Sequence, residues 1–418
     1  MNRMFFALYR YVLSPISVLA LPFLAIFNHK LREGLRHRRQ RSEGFPSSAR
    51  PIWIHAASGE FEYAKAVIRE LKERYPTVPI LVTYFSPTFA KAVTGYPGVD
   101  RASALPLDLP GATRSFLKKM HPRALLIART DLWPEMLEQC RKQNVPVVIF
   151  SYTQKPFKSA FKRFFTRWTL HWVKRLYSVS DADRAQLAAL NLEQRIDVIG
   201  DTRYDQVAHR LTHPKPIADS LKPKDDAPCL VAGSTWTEDE NVLLPALQPF
   251  LRDNRLKLIL VPHEPTQEHI DHLARELAKL KLSFAFFSSE NWQDEQVLLV
   301  DRVGVLAELY LCGDFAFVGG SFKKSVHSVM EALGAGCITF VGPHYENNRE
   351  AVQFHSLQFQ GLTGVQVVKD SADFTARMND LLINADRNVR FAKDLRREFA
   401  GRLGASRKLV ENLSDIIG

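Results

Sequence analysis

The chain has 418 residues, 46% of them hydrophobic and 24% charged. At ~100–200 residues per domain this is enough for two folded domains, and the composition excludes a disordered or low-complexity protein. The net charge of +11 points to anionic partners: nucleic acid, a membrane surface or a phosphorylated substrate.

The N-terminus comes first. From Tyr11 to Phe27 no residue is charged. This run is at the short limit for crossing a bilayer, which takes ~20 residues. Lys30, Arg32, Arg36, Arg38, Arg39 and Arg41 follow, the pattern of a cytoplasmic flank. No AxA-like site closes the run, which argues against a cleaved leader. Pro15 and Pro22 would kink a spanning helix. Residues 1–45 therefore read as a membrane anchor with a basic flank. It can span, lie in the interface or pack on the body, and in each membrane version the body is cytoplasmic.

Strand-like and helical runs then alternate. Strands are expected at 52–56, 80–84, 124–128, 145–150, 176–179 and 195–199. Helices are expected at 61–74, 112–120, 134–142 and 181–190. This alternation predicts a parallel sheet covered on both faces, one Rossmann-like domain over residues 50–208. Residues 209–228, with Pro214, Pro216, Pro223 and Pro228, read as a linker. The pattern restarts over 229–390. Its strands are expected at 229–232, 256–261, 284–287, 297–300, 315–318 and 338–341. Its helices are expected at 238–250, 267–280, 303–311, 326–334 and 349–354. Residues 391–418 read as C-terminal helices. The fold class is α/β, with two domains facing a cleft, so function is expected in the loops after strands.

Cys140, Cys229, Cys312 and Cys337 form no CxxC pair and lie in or beside apolar runs, as small buried hydrophobes of a reducing compartment do.

Ala57-Ser58-Gly59-Glu60 follows the first strand and opens a helix. Two readings fit it. Ser58 caps the helix and Glu60 complements its dipole, or Glu60 is a general base aimed into the cleft, with Gly59 making the turn. Gly319-Gly320-Ser321-Phe322-Lys323-Lys324-Ser325 precedes a helix expected from Val326. It reads as an anion cradle or as a plain glycine turn, and matches neither Walker A nor GxGxxG. His327 and Glu331 would then share one helical face, with Glu331 suited to a ribose diol. Gly233-Ser234-Thr235 fits a phosphate contact or a cap equally. Gly342-Pro343-His344 with Asn347 and Asn348 is a further strand-end loop. Asp108 and Asp131 read as N-caps by default. The one DxD, Asp181-Ala182-Asp183, opens a helix, so capping explains it better than a metal. No metal site is expected.

Taken in order, these pieces resemble a known family, the 3-deoxy-D-manno-octulosonic acid (Kdo) transferases of lipopolysaccharide assembly, which have the GT-B fold. Trp53-Ile54-His55-Ala56-Ala57-Ser58-Gly59-Glu60 is similar to the family's W-x-H-A-x-S-x-G-E signature, one residue shorter. Leu105–Ala112, Thr130-Asp131-Leu132-Trp133-Pro134, Gly233-Ser234-Thr235, Val318–Ser321, His327 with Glu331 and Gly342-Pro343-His344 follow in family order, and the similarity covers about residues 1–360. The resemblance implies an inverting, metal-independent transfer of Kdo from CMP-Kdo to a lipid A precursor at the inner membrane, without a cofactor. By matched position Glu60 would be the catalytic base. Gly233, Ser234, Thr235, His263, Gly319, Gly320, Ser321, Lys323, His327, Glu331 and Asn347 would serve the donor. Ser58, Gly59, Thr83 and Asp131 would lie on the acceptor side. Three departures stand out. The family's E-T-E-L-W-P has Arg129 and Asp131 for its two Glu. Pro262-His263-Glu264-Pro265 lacks the usual Arg before the His. The usual GGHN is Ser325-Val326-His327-Ser328.

The alternatives are a divergent GT-B transferase for another sugar nucleotide or acceptor, and an inactive membrane-tethered binding protein. The basic residues are not interleaved with aromatics, so nucleic acid is not an expected partner.

Overall fold

The computed structural model describes residues 2–39, 43–192, 196–221, 223 and 227–417. Arg41, Arg195 and residues 222 and 224–226 of the expected linker lie outside the described residues. The chain divides into two compact units: Met1–Gln206 with Arg402–Gly418, and Val207–Gly401.

The first unit has seven parallel strands: β1 (Ile52–His55), β2 (Ile80–Tyr84), β3 (Arg101–Ala104), β4 (Ala124–Ala128), β5 (Val147–Tyr152), β6 (Arg175–Ser178) and β7 (Ile196–Val198). Their spatial order is β3-β2-β1-β4-β5-β6-β7. Every residue of β1, β2, β4 and β5 is buried, as a sheet covered on both faces requires. Alternate residues feed two cores. Ile52 and Ile54 join Val67, Ile68 and Leu71 of the helix Phe61–Arg74, while Trp53 joins Leu125, Ile127 and Leu137. β3 was not expected. It is an edge strand with only its last two residues buried, so it makes no apolar run.

The last helices, expected as a separate tail, belong to this unit. Leu409, Val410, Leu413 and Ile417 complete the Ile54 core. Asp205 holds them by accepting from the Gly404 and Ser406 amides at the start of the helix Ala405–Glu411.

The second unit repeats the plan. Its strands are β8 (Cys229–Thr235), β9 (Lys257–Pro262), β10 (Phe284–Phe286), β11 (Val297–Leu299), β12 (Phe315–Val318) and β13 (Ile338–Val341). The small hairpin β14 (Gln358–Phe359) and β15 (Leu362–Thr363) and the strand β16 (Val365–Val367) were not expected. The parallel order is β10-β11-β9-β8-β12-β13-β16. The boundary between units falls inside the helix Thr202–Thr212, ahead of the proline-rich stretch.

At the N-terminus, the helix Asn2–Leu8, a π turn Tyr9–Leu13 and the helix Ser14–Phe27 run on without a break. The run Met4–Phe27 is long and apolar enough to cross a membrane, with only 11% of it buried, and its start touches the first unit. Arg10 forms a two-point ion pair with Glu135 at 2.8 and 2.7 Å, the Tyr9 hydroxyl donates to Asp108 at 2.6 Å, and Phe5 packs on Trp168. The outer face, with Leu19, Phe23, Ile26 and Phe27, is exposed.

The Glu135 side chain is wholly buried and that of Arg10 is 13% exposed. Removing one partner strands a buried charge, which costs about 3–5 kcal/mol, whereas replacing both with apolar groups is close to neutral. Arg10→Ala should therefore destabilise the first unit by about that amount in urea unfolding, and the double variant Arg10→Met/Glu135→Met should recover most of it. A loss under about 1 kcal/mol in the single variant would mean the pair does not lock the helix.

Candidate functional site

In an open parallel sheet, ligands gather where the strand order reverses, beyond the strand C-termini. The order reverses between β1 and β4 in the first unit and between β8 and β12 in the second. Three of the loops singled out from the sequence, at Ser58–Glu60, Thr130–Asp131 and Gly319–Ser321, follow three of those strands, and Gly233–Thr235 is the C-terminal end of β8.

Glu60, not Ser58, occupies the N-cap position of the helix Phe61–Arg74, and its side chain caps nothing. Its carboxylate turns back and accepts from the Ser58 amide and hydroxyl, both at 2.9 Å. The half-buried carboxylate is thus held by two donors of its own turn. Gly59 is not needed for a strained turn, because a Cβ there would meet nothing within 4 Å and its φ is not positive. It leaves open space beside Glu60 instead.

Behind this turn lies His55, fully buried and not singled out by sequence. Its Nε2 is 2.7 Å from Asp131 Oδ2 and its Nδ1 is 2.9 Å from Thr83 Oγ1. Trp133 Nε1 also donates to Asp131, and Trp53 Nε1 to Thr83. The set is satisfied if Nε2 donates to Asp131 and the Thr83 hydroxyl donates to Nδ1. Burial disfavours the Asp131 carboxylate, but His55 and Trp133 outweigh it and hold its pKa below the ordinary range. Three expectations change. Thr83 is fully buried and positions His55 rather than facing a ligand, and Asp131 is not an N-cap. Asp108 is not one either, since Leu109 and Trp133 hold the N-cap positions of the helices Pro110–Met120 and Pro134–Lys142. It accepts from the Glu135 and Met136 amides of the helix Pro134–Lys142, and burial raises its pKa to about 6 against those bonds. Arg129, next to Asp131, has φ +68° and donates to the Tyr63 hydroxyl, with Arg203 on the same ring. Left-handed φ is unusual for an arginine, and nothing in composition marked it.

In the second unit the glycine loop differs from expectation. Its following helix is Met330–Ala335, so the loop runs on to Val329 and His327 does not share a helical face with Glu331. The loop amides are also taken. Asp239 accepts from the Gly320 amide at 2.7 Å, the Phe322 amide at 3.0 Å and the Trp236 amide at 2.9 Å. Gly319 and Gly320 therefore form a clamped turn rather than an open anion cradle. A Cβ on Gly319 would lie 2.2 Å from the Ser234 carbonyl, and Gly320 has φ +85°. Ser321 is buried and ties the Val318 carbonyl to the Gly342 amide. Buried Thr235 donates to Glu240. Gly233 faces the Tyr310 hydroxyl with no room for a Cβ. Asn347 pins the loop through both polar groups of Val326. These six shape the site from behind.

What the loop presents is a stack of rings. His263 lies 4.1 Å from His327 at 15°, Trp236 Nε1 donates to His327 Nε2 at 3.1 Å, and the Lys323 ammonium sits 3.4 Å over the Trp236 ring. Trp236 was missed because a lone tryptophan after a strand carries no motif. His327 also lines a cavity of about 240 Å³ with Ser234, Arg210 and Glu331, and Glu331 accepts from Ser328. Arg210 is paired with Glu308 at 3.1 Å. Among the described residues no cluster of three or more His, Cys, Asp or Glu could hold a metal ion. Ser180, rather than Asp181 or Asp183, caps the helix Asp181–Ala188.

Burial, with His263 beside it, pushes the His327 pKa down to about 4. A depressed histidine stabilises the fold fully above its unfolded pKa of ~6.5, and that stability is lost as pH falls toward the folded value. The melting temperature should thus drop between pH 6.5 and 4, and His327→Gln should flatten the drop. An unchanged slope in the variant would show that His327 is not held neutral.

A family model described as 3-deoxy-D-manno-octulosonic-acid transferase (kdotransferase) matches residues 30–206. The 3-deoxy-D-manno-octulosonic acid transferase of Haemophilus influenzae is 28% identical over 92% of this chain and 91% of its own, and that of Bordetella pertussis is 26% identical over 88% of each. Among solved structures, the UDP-GlcNAc 2-epimerase of Neisseria meningitidis aligns at TM-score 0.61 with 13% identity, covering 87% of this chain and 98% of that one. A glycosyltransferase of Rickettsia africae aligns at 0.57 with 12% identity, covering 88% and 99%. These structural likenesses speak to the fold alone. Sequence and fold together show a chain that resembles the 3-deoxy-D-manno-octulosonic-acid transferases, a glycosyltransferase with a GT-B-like fold.

Proposed function

We propose that the chain transfers Kdo from CMP-Kdo to a lipid A precursor, lipid IVA, with inversion, at the cytoplasmic face of the inner membrane. The observation that carries this is the Glu60 carboxylate at the β1–β4 reversal, held by Ser58 and beside open space at Gly59. In the reaction Glu60 takes the proton of an acceptor hydroxyl. That oxygen bonds to the anomeric carbon from the face opposite CMP. The bond to the CMP phosphate oxygen breaks, and CMP leaves with the electron pair.

On the donor side, Ser234, His327 and Glu331 of the 240 Å³ cavity suit the ribose and base of CMP, with Arg210 near its phosphate. Lys323 supplies a further cation for the leaving group. The exposed apolar face of the N-terminal helix and its basic flank suit a lipid surface that bears the acceptor. A donor other than CMP-Kdo is the second reading, favoured by the absence of an arginine in Pro262-His263-Glu264-Pro265.

Glu60→Gln should lower transfer by at least about 10²–10⁴-fold, the usual weight of a general base, while CMP-Kdo binding stays within about twofold. Transfer near the wild-type rate would remove Glu60 from the mechanism. A donor panel separates the two readings: turnover with CMP-Kdo alone supports the first, and turnover only with a UDP-sugar overturns it. Gly59→Ala should leave the melting temperature unchanged, since its Cβ meets nothing, yet raise the acceptor KM. An unchanged KM would mean the space beside Glu60 is not used.

A further inference from the structure

The first unit has a second cavity, walled on one side by the N-terminal helix. It measures about 240 Å³. It is lined by Val18 and Leu21 of the helix Ser14–Phe27, by Leu105 and Leu107, and by Phe85, Trp133 and Arg38. It is smaller than the ~300–1,000 Å³ of a typical small-molecule pocket, and mostly apolar. A helix docked only to anchor the protein would be packed tight against the body, since interiors leave few voids larger than a water.

Three observations say what fits there. The helix that roofs the cavity turns its other face, Leu19, Phe23 and Ile26, outward, so the wall of the slot is also the face that suits hydrocarbon. Arg38 lies 4.5 Å over the Phe85 ring and donates to the Gly34 and Phe85 carbonyls, yet its Nε is buried with no hydrogen-bond partner among the described residues. A buried guanidinium N–H left unmade is costly, and an anionic oxygen is its natural acceptor. The lining also leads to the catalytic turn. Phe85 stacks on Trp133 at 5.4 Å and 12°, Trp133 donates to Asp131, and the Phe85 amide donates to the Ala57 carbonyl, one residue before Ser58.

We infer that this cavity takes one acyl chain of the acceptor lipid, with Arg38 meeting an anionic group at the chain's sugar end, so that the N-terminal helix is one wall of the acceptor site as well as a membrane contact. This deepens the reading of Glu60 as acceptor base and rests on it. An acyl chain drawn between Val18 and Leu107 brings its headgroup past Phe85 toward Ser58–Glu60. The chain is bound by burial of apolar area, and the polar end by charge, so acylated and deacylated acceptors should part company at this site.

The test uses the full chain in detergent, without donor, and a phosphorylated acyl-disaccharide bearing a diazirine on one acyl chain. Photolysis should label peptides holding Val18–Leu21 and Leu105–Leu107. Val18→Trp, or Ser17→Leu from the same wall should it fold poorly, should cut that labelling at least about tenfold. In turnover assays the same variants should raise KM for the acylated acceptor and leave that for the deacylated one unchanged. Labelling confined to Leu19, Phe23 and Ile26 overturns the proposal. Equal labelling of the cavity by a diacyl phospholipid carrying the same diazirine also overturns it, since bulk lipid would then be the occupant. Cavity labelling by the acceptor analogue in a protein that transfers no Kdo would sink the proposed function and leave this site standing. Kdo transfer without cavity labelling would do the reverse.

Discussion

Everything functional in this chain hangs on where two parallel sheets reverse their strand order. Between β1 and β4, and again between β8 and β12, neighbouring strands send their connections to opposite faces, and the space beyond their C-termini stays open. Strands buried on both faces make that geometry rigid, because their pairing register cannot slip without exposing apolar side chains. Loops attached there inherit fixed starting points. Glu60, Asp131, Ser234 and the Gly319 loop are placed by their strands before any local interaction acts.

Local interactions then fix what the loops present. In the second unit the controlling group is Asp239, a largely buried carboxylate whose pKa is raised by burial although three amides hold it. It fastens the glycine loop and orients Trp236, whose indole fixes His327. An aspartate in that place occupies the Gly320 and Phe322 amides and leaves Lys323 and the ring stack as the groups the loop presents. In the first unit His55 plays the matching part, tying β1, Thr83 and Asp131 into one buried set. Both devices spend buried polar groups on rigidity in the loops at their strand ends.

Much of this was legible in the sequence, and what was not has physical reasons. Runs such as Ile80–Tyr84, Ala124–Ala128 and Phe315–Val318 are apolar throughout because both faces are covered, so their bounds read directly. The Arg101–Ala104 edge strand lacks that signature. The helix expected from Val326 begins at Met330, because Asn347 and Asn348 bind the loop at Val326 and His327 and hold it out of helical form. The order of strand-end motifs pointed to Glu60, His327 and Glu331. It could not separate contact residues from supports: Ser321, Thr235 and Thr83 look like ligands by composition, and only burial shows that they are struts. Asp239, His55 and Trp236 act across distances in sequence that no spacing rule registers.

The central claim is a single displacement in which Glu60 deprotonates the acceptor opposite the departing CMP. The anomeric configuration of the newly transferred sugar, read by NMR on the isolated product and compared with that of the CMP-linked donor, tests it most directly. The account predicts inversion at that carbon. Retention would contradict it, because two displacements or a front-face path would then be needed and a lone base at Glu60 would not suffice.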